Sequence, residues 1–128
     1  MVQMWTQCPR LPLGSLIVVI LGKMFVMWSI FNLLAAVFGN GTYFAKNSSY
    51  SAQPQYSQPD VRGHRYIIQT RVITGDWTQG QRGMKAAPLK KNSPTEQYDS
   101  VVDDVQSPTI FVVFHDTAAY PEYIIKFM

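Results

Sequence analysis

The sequence predicts a mixed α+β fold with a mainly antiparallel β-sheet core, preceded by an apolar helical segment. Runs of β-branched and aromatic residues at 66–73, 110–115 and 123–127 are typical of strands. Residues 16–38 are almost continuously apolar, and the chain then turns rich in Gly, Ser, Asn, Gln and Pro. A chain of 128 residues, 47% hydrophobic and 15% charged, is expected to form one domain at most and to bury part of its length.

The apolar stretch over residues 16–38 is about as long as a helix that crosses ~30 Å of hydrocarbon. Lys23 at its centre would cost about 2.5–3.5 kcal/mol on insertion, and no charge bias in the flanks sets an orientation. Arg10 followed by apolar residues 11–21 also fits the core of a signal peptide. A third alternative is that this segment replaces the first part of a longer domain.

The chain after the apolar stretch begins with polar connections and a strand. Residues 48–57 predict a short helical turn that runs into a loop ended by Pro59. A strand is predicted over residues 66–73, with Gly75-Asp76 as its stop signal.

The last part of the chain predicts one long loop and two strands. Residues 78–108 hold several Gly and Pro residues among polar ones and predict a long irregular excursion. The runs at 110–115 and 123–127 predict buried strands that are antiparallel neighbours.

The residue types that support metal, disulfide or nucleic-acid chemistry are sparse. The single cysteine, Cys8, excludes an intrachain disulfide framework and a Cys-rich zinc site. His64 and His115 have no partner at metal-ligand spacing, so no metal is expected. The net charge of +3 is scattered, and the pair Lys90-Lys91 reads as a solvated loop, so no direct nucleic-acid binding is expected.

The most specific pattern is the segment 39–45, which reads G-N-G-T-Y-F-A and is followed by S-S-Y-S-A at 48–52 and by Tyr56. This order resembles the nicotinamide pocket of poly(ADP-ribose) polymerase catalytic domains. Residues 98–105, together with I-F-V-V-F at 110–114 and A-Y-P-E-Y at 119–123, look like the macrodomain-containing mono-ADP-ribosyltransferase branch of that family. The resemblance implies a partial ADP-ribosyltransferase-type fold over residues 36–128, preceded by an unrelated segment over 1–35.

The resemblance also implies roles for individual residues. Tyr43 would be the tyrosine of the family's His-Tyr-Glu triad and line the nicotinamide ribose. Tyr56 would stack on the nicotinamide ring, and the Ser51 hydroxyl would donate to the carboxamide oxygen. The cofactor-binding positions implied by the motif are Gly41, Tyr43, Phe44, Ala45, Ser51 and Tyr56.

Ile110 falls at the position of the triad glutamate. A hydrocarbon side chain cannot polarise the ribose hydroxyl that lengthens a polymer, so the resemblance implies transfer of single ADP-ribose units. The implied activity is NAD-dependent protein mono-ADP-ribosyl transfer, with NAD as substrate and protein acceptors as partners. Glu122, a tempting second carboxylate, follows the triad strand and is read as structural.

The family's histidine lies in an H-G-(T/S) segment upstream of the tyrosine motif, and this chain has no histidine before His64. We expect either a truncated product with an alternative or misjoined first exon, or a non-catalytic regulatory or binding fragment anchored to a membrane through residues 16–38. The resemblance implies nucleus and cytoplasm as the compartment, with a membrane as the alternative.

Overall fold

A computed structural model of the chain describes residues 2–4, 15–20 and 37–128. Most of the regular structure in these residues is extended, in agreement with the many β-branched and aromatic residues. The strands are β1 Val2–Met4, β2 Ser15–Ile20, β3 Thr42–Ala45, β4 Arg65–Ile73, β5 Trp77–Gln79, β6 Ser100–Val102, β7 Ile110–Val113 and β8 Ala119–Phe127. The short helix α1 spans Ser48–Ser51, and a 3₁₀ turn spans Asp116–Ala118.

The strands form one eight-stranded sheet in the order β1-β8-β4-β2-β3-β7-β6-β5. Every pair is antiparallel except β5 with β6, which is parallel. The prediction of an α+β chain with a mainly antiparallel sheet is therefore confirmed. The short helical turn predicted within residues 48–57 is present as α1.

The strand predicted over residues 66–73 is β4, which begins one residue earlier, and the two C-terminal strands are β7 and β8. The prediction that β7 and β8 are antiparallel neighbours is wrong. Strand β7 has β3 on one side and β6 on the other, so both of its edges are already paired. The 3₁₀ turn redirects the chain after β7, and β8 pairs with β4 and β1 instead.

Strand β2 occupies the start of the segment for which the sequence predicts a helix. It pairs with β4 along its whole length and with β3 at its end, so this part of the chain is extended. The rest of the predicted helical segment, residues 21–36, and most of the alternative signal-peptide core lie outside the described residues. No helix in the described part of the chain is long and apolar enough to cross a membrane.

The excursion predicted over residues 78–108 contains more regular structure than expected, because β5 overlaps its start and β6 lies inside it. Strand β6 is only Ser-Val-Val, which is too short to give a periodic signal. The connection between these strands is tied to the sheet by an ion pair from Lys90 Nζ to Asp76 Oδ2 at 2.8 Å. Lys90 therefore lies in a solvated loop, as predicted, but with a carboxylate partner.

Apolar side chains pack on both faces of the β3–β7 pair. One face, which we call the Phe44 face, carries a buried cluster of Phe44, Val72 and Val113. The other, which we call the Tyr43 face, carries a buried cluster of Ala87, Val101 and Val112, against which Phe38, Tyr43, Met84, Tyr98 and Phe114 pack. Burial on both faces explains why β7 is continuously apolar rather than alternating.

A β-bulge interrupts the pairing of β4 with β8. Gln69 lies opposite Tyr123 and Thr70 opposite Pro121, so Glu122 is the extra residue on β8. Proline has no N–H to donate to the ladder, which favours an irregularity here. The Glu122 side chain reaches β4, where Oε1 lies 2.6 Å from Arg71 Nη2. Glu122 thus acts as a structural residue that closes the bulge.

Replacing Glu122 by alanine is expected to lower the free energy of unfolding by about 2 kcal/mol, because Glu122 is only 9% exposed and Arg71 would keep a half-buried, unpaired charge. Chemical denaturation of the purified chain measures the change. Glu96→Ala is the matched control, since Glu96 meets Lys90 at 3.7 Å on the surface and its loss is expected to change stability by about 0.5 kcal/mol or less. Equal effects of the two substitutions would contradict this role for Glu122.

Candidate functional site

The turn before β3 is closed by the hydroxyl of Tyr43. This hydroxyl donates to the carbonyl oxygen of Gly39 at 2.7 Å and accepts the N–H of Phe38 at 3.0 Å. Gly39 has φ +137°, a region that favours glycine. Burial raises the pKa of Tyr43, while the bonds to Phe38 and Gly39 act in the opposite direction. Tyr43 is therefore a neutral, half-buried side chain that fixes the backbone just before the strand.

Gly41 is required by the close approach of this turn to β7. A Cβ at this position would overlap the carbonyl oxygen of Val113 and lie 2.8 Å from Val112 Cγ1. Any side chain would push β3 and β7 apart. Gly41, which the family resemblance implies as a cofactor-binding position, thus has a packing function at the start of β3.

The register of β3 and β7 brings the two predicted triad positions together. Tyr43 lies opposite Val112, and Ala45 lies opposite Ile110. Residues directly opposite each other share a face, so Tyr43 and Ile110 are diagonal neighbours on the Tyr43 face, where such positions are about 7–8 Å apart. Phe44 points to the opposite face and is buried in the Phe44 cluster.

The helix α1 and the turns after it bring two tyrosines together. The rings of Tyr50 and Tyr56 are stacked, with centroids 5.2 Å apart and an interplanar angle of 25°. Their hydroxyl oxygens are 3.0 Å apart, and either hydroxyl can donate. Ser51, the last residue of α1, is fully buried. The structure thus presents Tyr50 and Tyr56 as an aromatic pair and keeps the Ser51 side chain inside.

A cleft of about 360 Å³ opens between α1 and the start of β7. Its wall combines one hydrocarbon side chain, one aromatic ring and several neutral polar groups, and its lining residues are Asn47, Ser49, Tyr50, Gln53, Thr109 and Ile110. Small-molecule sites are mostly apolar clefts with a few placed polar groups, and this lining is more polar, with four neutral polar side chains beside Tyr50 and Ile110. Ile110 is the predicted site residue in this lining, and Tyr56 adjoins it through Tyr50.

Sequence reasoning missed Tyr50 and Thr109 as site residues. Tyr50 stands inside the quoted segment 48–52, but no pattern indicated that its ring would pair with Tyr56. Thr109 directly precedes Ile110, and its place in the cleft depends on how the loop before β7 folds. Both positions follow from tertiary geometry rather than from local sequence.

The two histidines lie away from the cleft lining. His64 Nδ1 is 3.4 Å from Asp60 Oδ2 in the loop before β4, and His115 is exposed after β7. Within residues 37–128 and the two described strands before them, no group of three or more His, Cys, Asp or Glu could hold a metal ion.

The eight-stranded, mainly antiparallel sheet is the core of an ADP-ribosyltransferase-type domain. The chain belongs to the poly(ADP-ribose) polymerase catalytic-domain family, whose sequence pattern matches residues 15–128. A similar fold occurs in the crystal structure of the PARP domain of Arabidopsis RADICAL-INDUCED CELL DEATH1, with a TM-score of 0.63 and 23% identity over 88% of this chain and 67% of that one. The matched region includes β2, which precedes the glycine-rich turn.

Several curated relatives are mono-ADP-ribosyltransferases. Human protein mono-ADP-ribosyltransferase PARP14 is 46% identical over 94 residues, which cover 73% of this chain and 5% of the relative. Mouse PARP10 is 46% identical over 89 residues, covering 70% of this chain and 9% of the relative. Human PARP11 is 35% identical over 119 residues, covering 78% of this chain and 35% of the relative. The chain therefore spans only a small part of the length of these relatives.

Replacing Tyr43 by phenylalanine is expected to lower the free energy of unfolding by about 1–2 kcal/mol, because the Phe38 N–H and the Gly39 carbonyl both lose their partner. Amide hydrogen exchange at Phe38 should become faster. Tyr98→Phe is the control, since Tyr98 packs against the same cluster and its hydroxyl has no hydrogen bond to a described residue. Unchanged exchange at Phe38 in Tyr43→Phe would refute the proposed closure of the turn.

The ionisation of Tyr50 gives a pH test of the aromatic pair. The hydrogen bond with Tyr56, then burial, then the neighbouring charges raise the pKa of Tyr50 from 10.0 to about 12. Because the pKa of Tyr50 is raised in the folded state, the contribution of this pair to the free energy of unfolding is complete below pH 10.0. It is lost as the pH rises toward about 12. Absorbance titration of tyrosinate should show this late ionisation, and Tyr56→Phe should bring it back toward the ordinary value. An early Tyr50 ionisation in the unmodified chain would argue against the pair.

Proposed function

We propose that this chain carries the nicotinamide side of a protein mono-ADP-ribosyltransferase site, which transfers ADP-ribose from NAD to a protein acceptor and releases nicotinamide. The observation that carries the proposal is the pairing of β3 with β7, because it places Tyr43 on the same face as Ile110, which lines a neutral cleft. Relatives that bear this activity by name support the same assignment.

The residues at the cleft fit a flat nicotinamide ring. Tyr56 and Tyr50 present stacked aromatic rings, and a further planar ring gains from such contacts. Asn47, Gln53 and Thr109 offer neutral donors and acceptors that can orient a carboxamide. When the bond to nicotinamide breaks, positive charge develops on the ribose, and the hydroxyl and amide dipoles of the site would stabilise it.

Ile110 determines the size of the product in this proposal. Its side chain lines the cleft at the position of the triad glutamate and has no group that accepts a proton. A ribose hydroxyl of a bound ADP-ribose would therefore not be activated as a nucleophile. The acceptor group on the protein must supply its own nucleophile, and each modification ends after one unit.

A second candidate function is a fragment that binds without turnover. The sequence has no histidine before His64, and neither His64 nor His115 is part of the cleft lining. The described cleft lining therefore contains no histidine. A chain of this kind would hold nicotinamide or NAD, or contact a partner, without releasing product.

The remaining sequence predictions stay predictions. They include truncation of the domain, the division at residue 36, the roles of residues 16–38 at a membrane, and a nuclear and cytoplasmic compartment. The family match begins at residue 15 and so runs across that division.

The direct test is NAD hydrolysis and self-modification by the purified chain, in comparison with Tyr56→Ala. Loss of one stacked aromatic contact is expected to lower turnover about tenfold. Tyr66→Ala is the matched control, because Tyr66 is an exposed tyrosine on β4 whose hydroxyl bonds Asp60 outside the cleft. Equal loss in both variants would reject the site, and no turnover in the unmodified chain would favour the binding fragment.

Intact mass spectrometry of the modified chain tests the role assigned to Ile110. The expected products carry single ADP-ribose units at separate sites, because no carboxylate stands at this position. Products that extend as polymers would contradict the proposal.

A further inference from the structure

Asp103 is joined to the cleft wall by a dense set of hydrogen bonds. Its Oδ1 accepts the N–H of Thr109 at 3.0 Å and the N–H of Ile110 at 3.0 Å. Its Oδ2 accepts the Thr109 hydroxyl at 2.5 Å. The Asp103 N–H in turn donates to the Ile110 carbonyl at 3.3 Å. One residue thus holds two adjacent members of the cleft lining.

We infer that Asp103 is a positioning residue that fixes Thr109 and Ile110 at the cleft wall for the transfer reaction. This inference rests on the proposed function, in which Ile110 occupies a catalytic position. Asp103 itself does not line the cleft and acts through the two residues it binds.

The position of this clamp in the sheet explains why a side chain is needed. Strands β6 and β7 pair at Val101 with Val112 and at Val102 with Phe111, and the chain then leaves β6 for the loop to residue 109. The Asp103 carboxylate closes that loop onto the first residue of β7. On the other side of β7, the Lys46 N–H donates to the Thr109 carbonyl at 2.8 Å. Thr109 is therefore held from both sides, and Ile110 begins its strand at a defined point.

The charge of Asp103 also reaches the cleft. Although burial acts in the raising direction, the bonds from Thr109 and Ile110 hold the pKa of Asp103 below its ordinary value, so the group is a carboxylate at neutral pH. Its negative charge adds to the effects that raise the pKa of Tyr50, a third lining residue. The carboxylate thus has two separable properties: acceptor oxygens, on which the clamp depends, and a negative charge, on which it does not.

Two substitutions separate these properties. Asp103→Asn keeps an oxygen that accepts both amides, and its NH₂ group can donate to the Thr109 hydroxyl, which then acts as acceptor. Asp103→Ala removes every side-chain bond. Asp104→Ala is the control, because in the described part of the chain the Asp104 carboxylate accepts only the Gln106 N–H, in an exposed turn. Thr109→Val replaces the hydroxyl by a methyl group and so removes only its bond to Asp103. This variant tests the clamp if Asp103→Ala does not fold.

The experiment combines amide hydrogen exchange at Thr109 and Ile110 with kcat and KM for NAD in the 128-residue chain. Asp103→Ala is expected to speed exchange at both amides and to lower kcat about tenfold or more, with KM changed about twofold at most. Asp103→Asn should keep the exchange rates and kcat close to those of the unmodified chain. Thr109→Val should lower kcat by a smaller factor than Asp103→Ala. Asp104→Ala should change neither the exchange rates nor kcat.

The inference is overturned if Asp103→Asn is as defective as Asp103→Ala, or if Asp103→Ala leaves exchange at Ile110 protected. Unchanged kcat in a folded Thr109→Val variant with altered exchange would overturn it as well. A chain that shows no NAD turnover rejects the proposed transfer activity. In that case the exchange data still decide whether Asp103 holds Ile110, since they do not depend on activity.

Discussion

The antiparallel pairing of β3 with β7 is the constraint on which the site depends. A slip of one residue would turn Tyr43 toward the Phe44 face and separate it from Ile110, because side chains alternate along a strand. The absence of a side chain at Gly41 lets the turn approach β7, and the Tyr43 hydroxyl closes that turn onto Gly39. Burial of Phe44 on one face and Val112 on the other penalises the slipped register from both sides.

Hydrogen bonds around the cleft hold its wall in place relative to the paired strands. At the start of β7, Asp103 and Lys46 hold Thr109 from opposite sides, so the cleft wall begins where the strand begins. On the other side of the cleft, Tyr50 lies in α1 and its ring stacks on that of Tyr56. The lining itself has no charged side chain.

The sequence predicted those parts of the fold that local patterns determine. The runs that became β4, β7 and β8 were readable because β-branched and aromatic residues cluster there, and the glycine-rich motif indicated the family. The pairing partners of β7 and β8 could not be predicted, because strand order depends on contacts between distant parts of the chain. In the structure, β3 and β6 pair with the two edges of β7. Strand β6 was too short to show a period. The contact of Tyr50 with Tyr56 and the Asp103 clamp depend on loop geometry, which residue spacing does not encode.

The most direct test of this account is the register of β3 against β7 in solution. Cross-strand backbone NOEs in the isotope-labelled chain measure it without reference to activity. The account predicts NOEs that join Tyr43 to Val112 and Ala45 to Ile110. NOEs that join Tyr43 to Phe111, or the absence of any contact between the two strands, would contradict it, because Tyr43 and Ile110 would then no longer share a face.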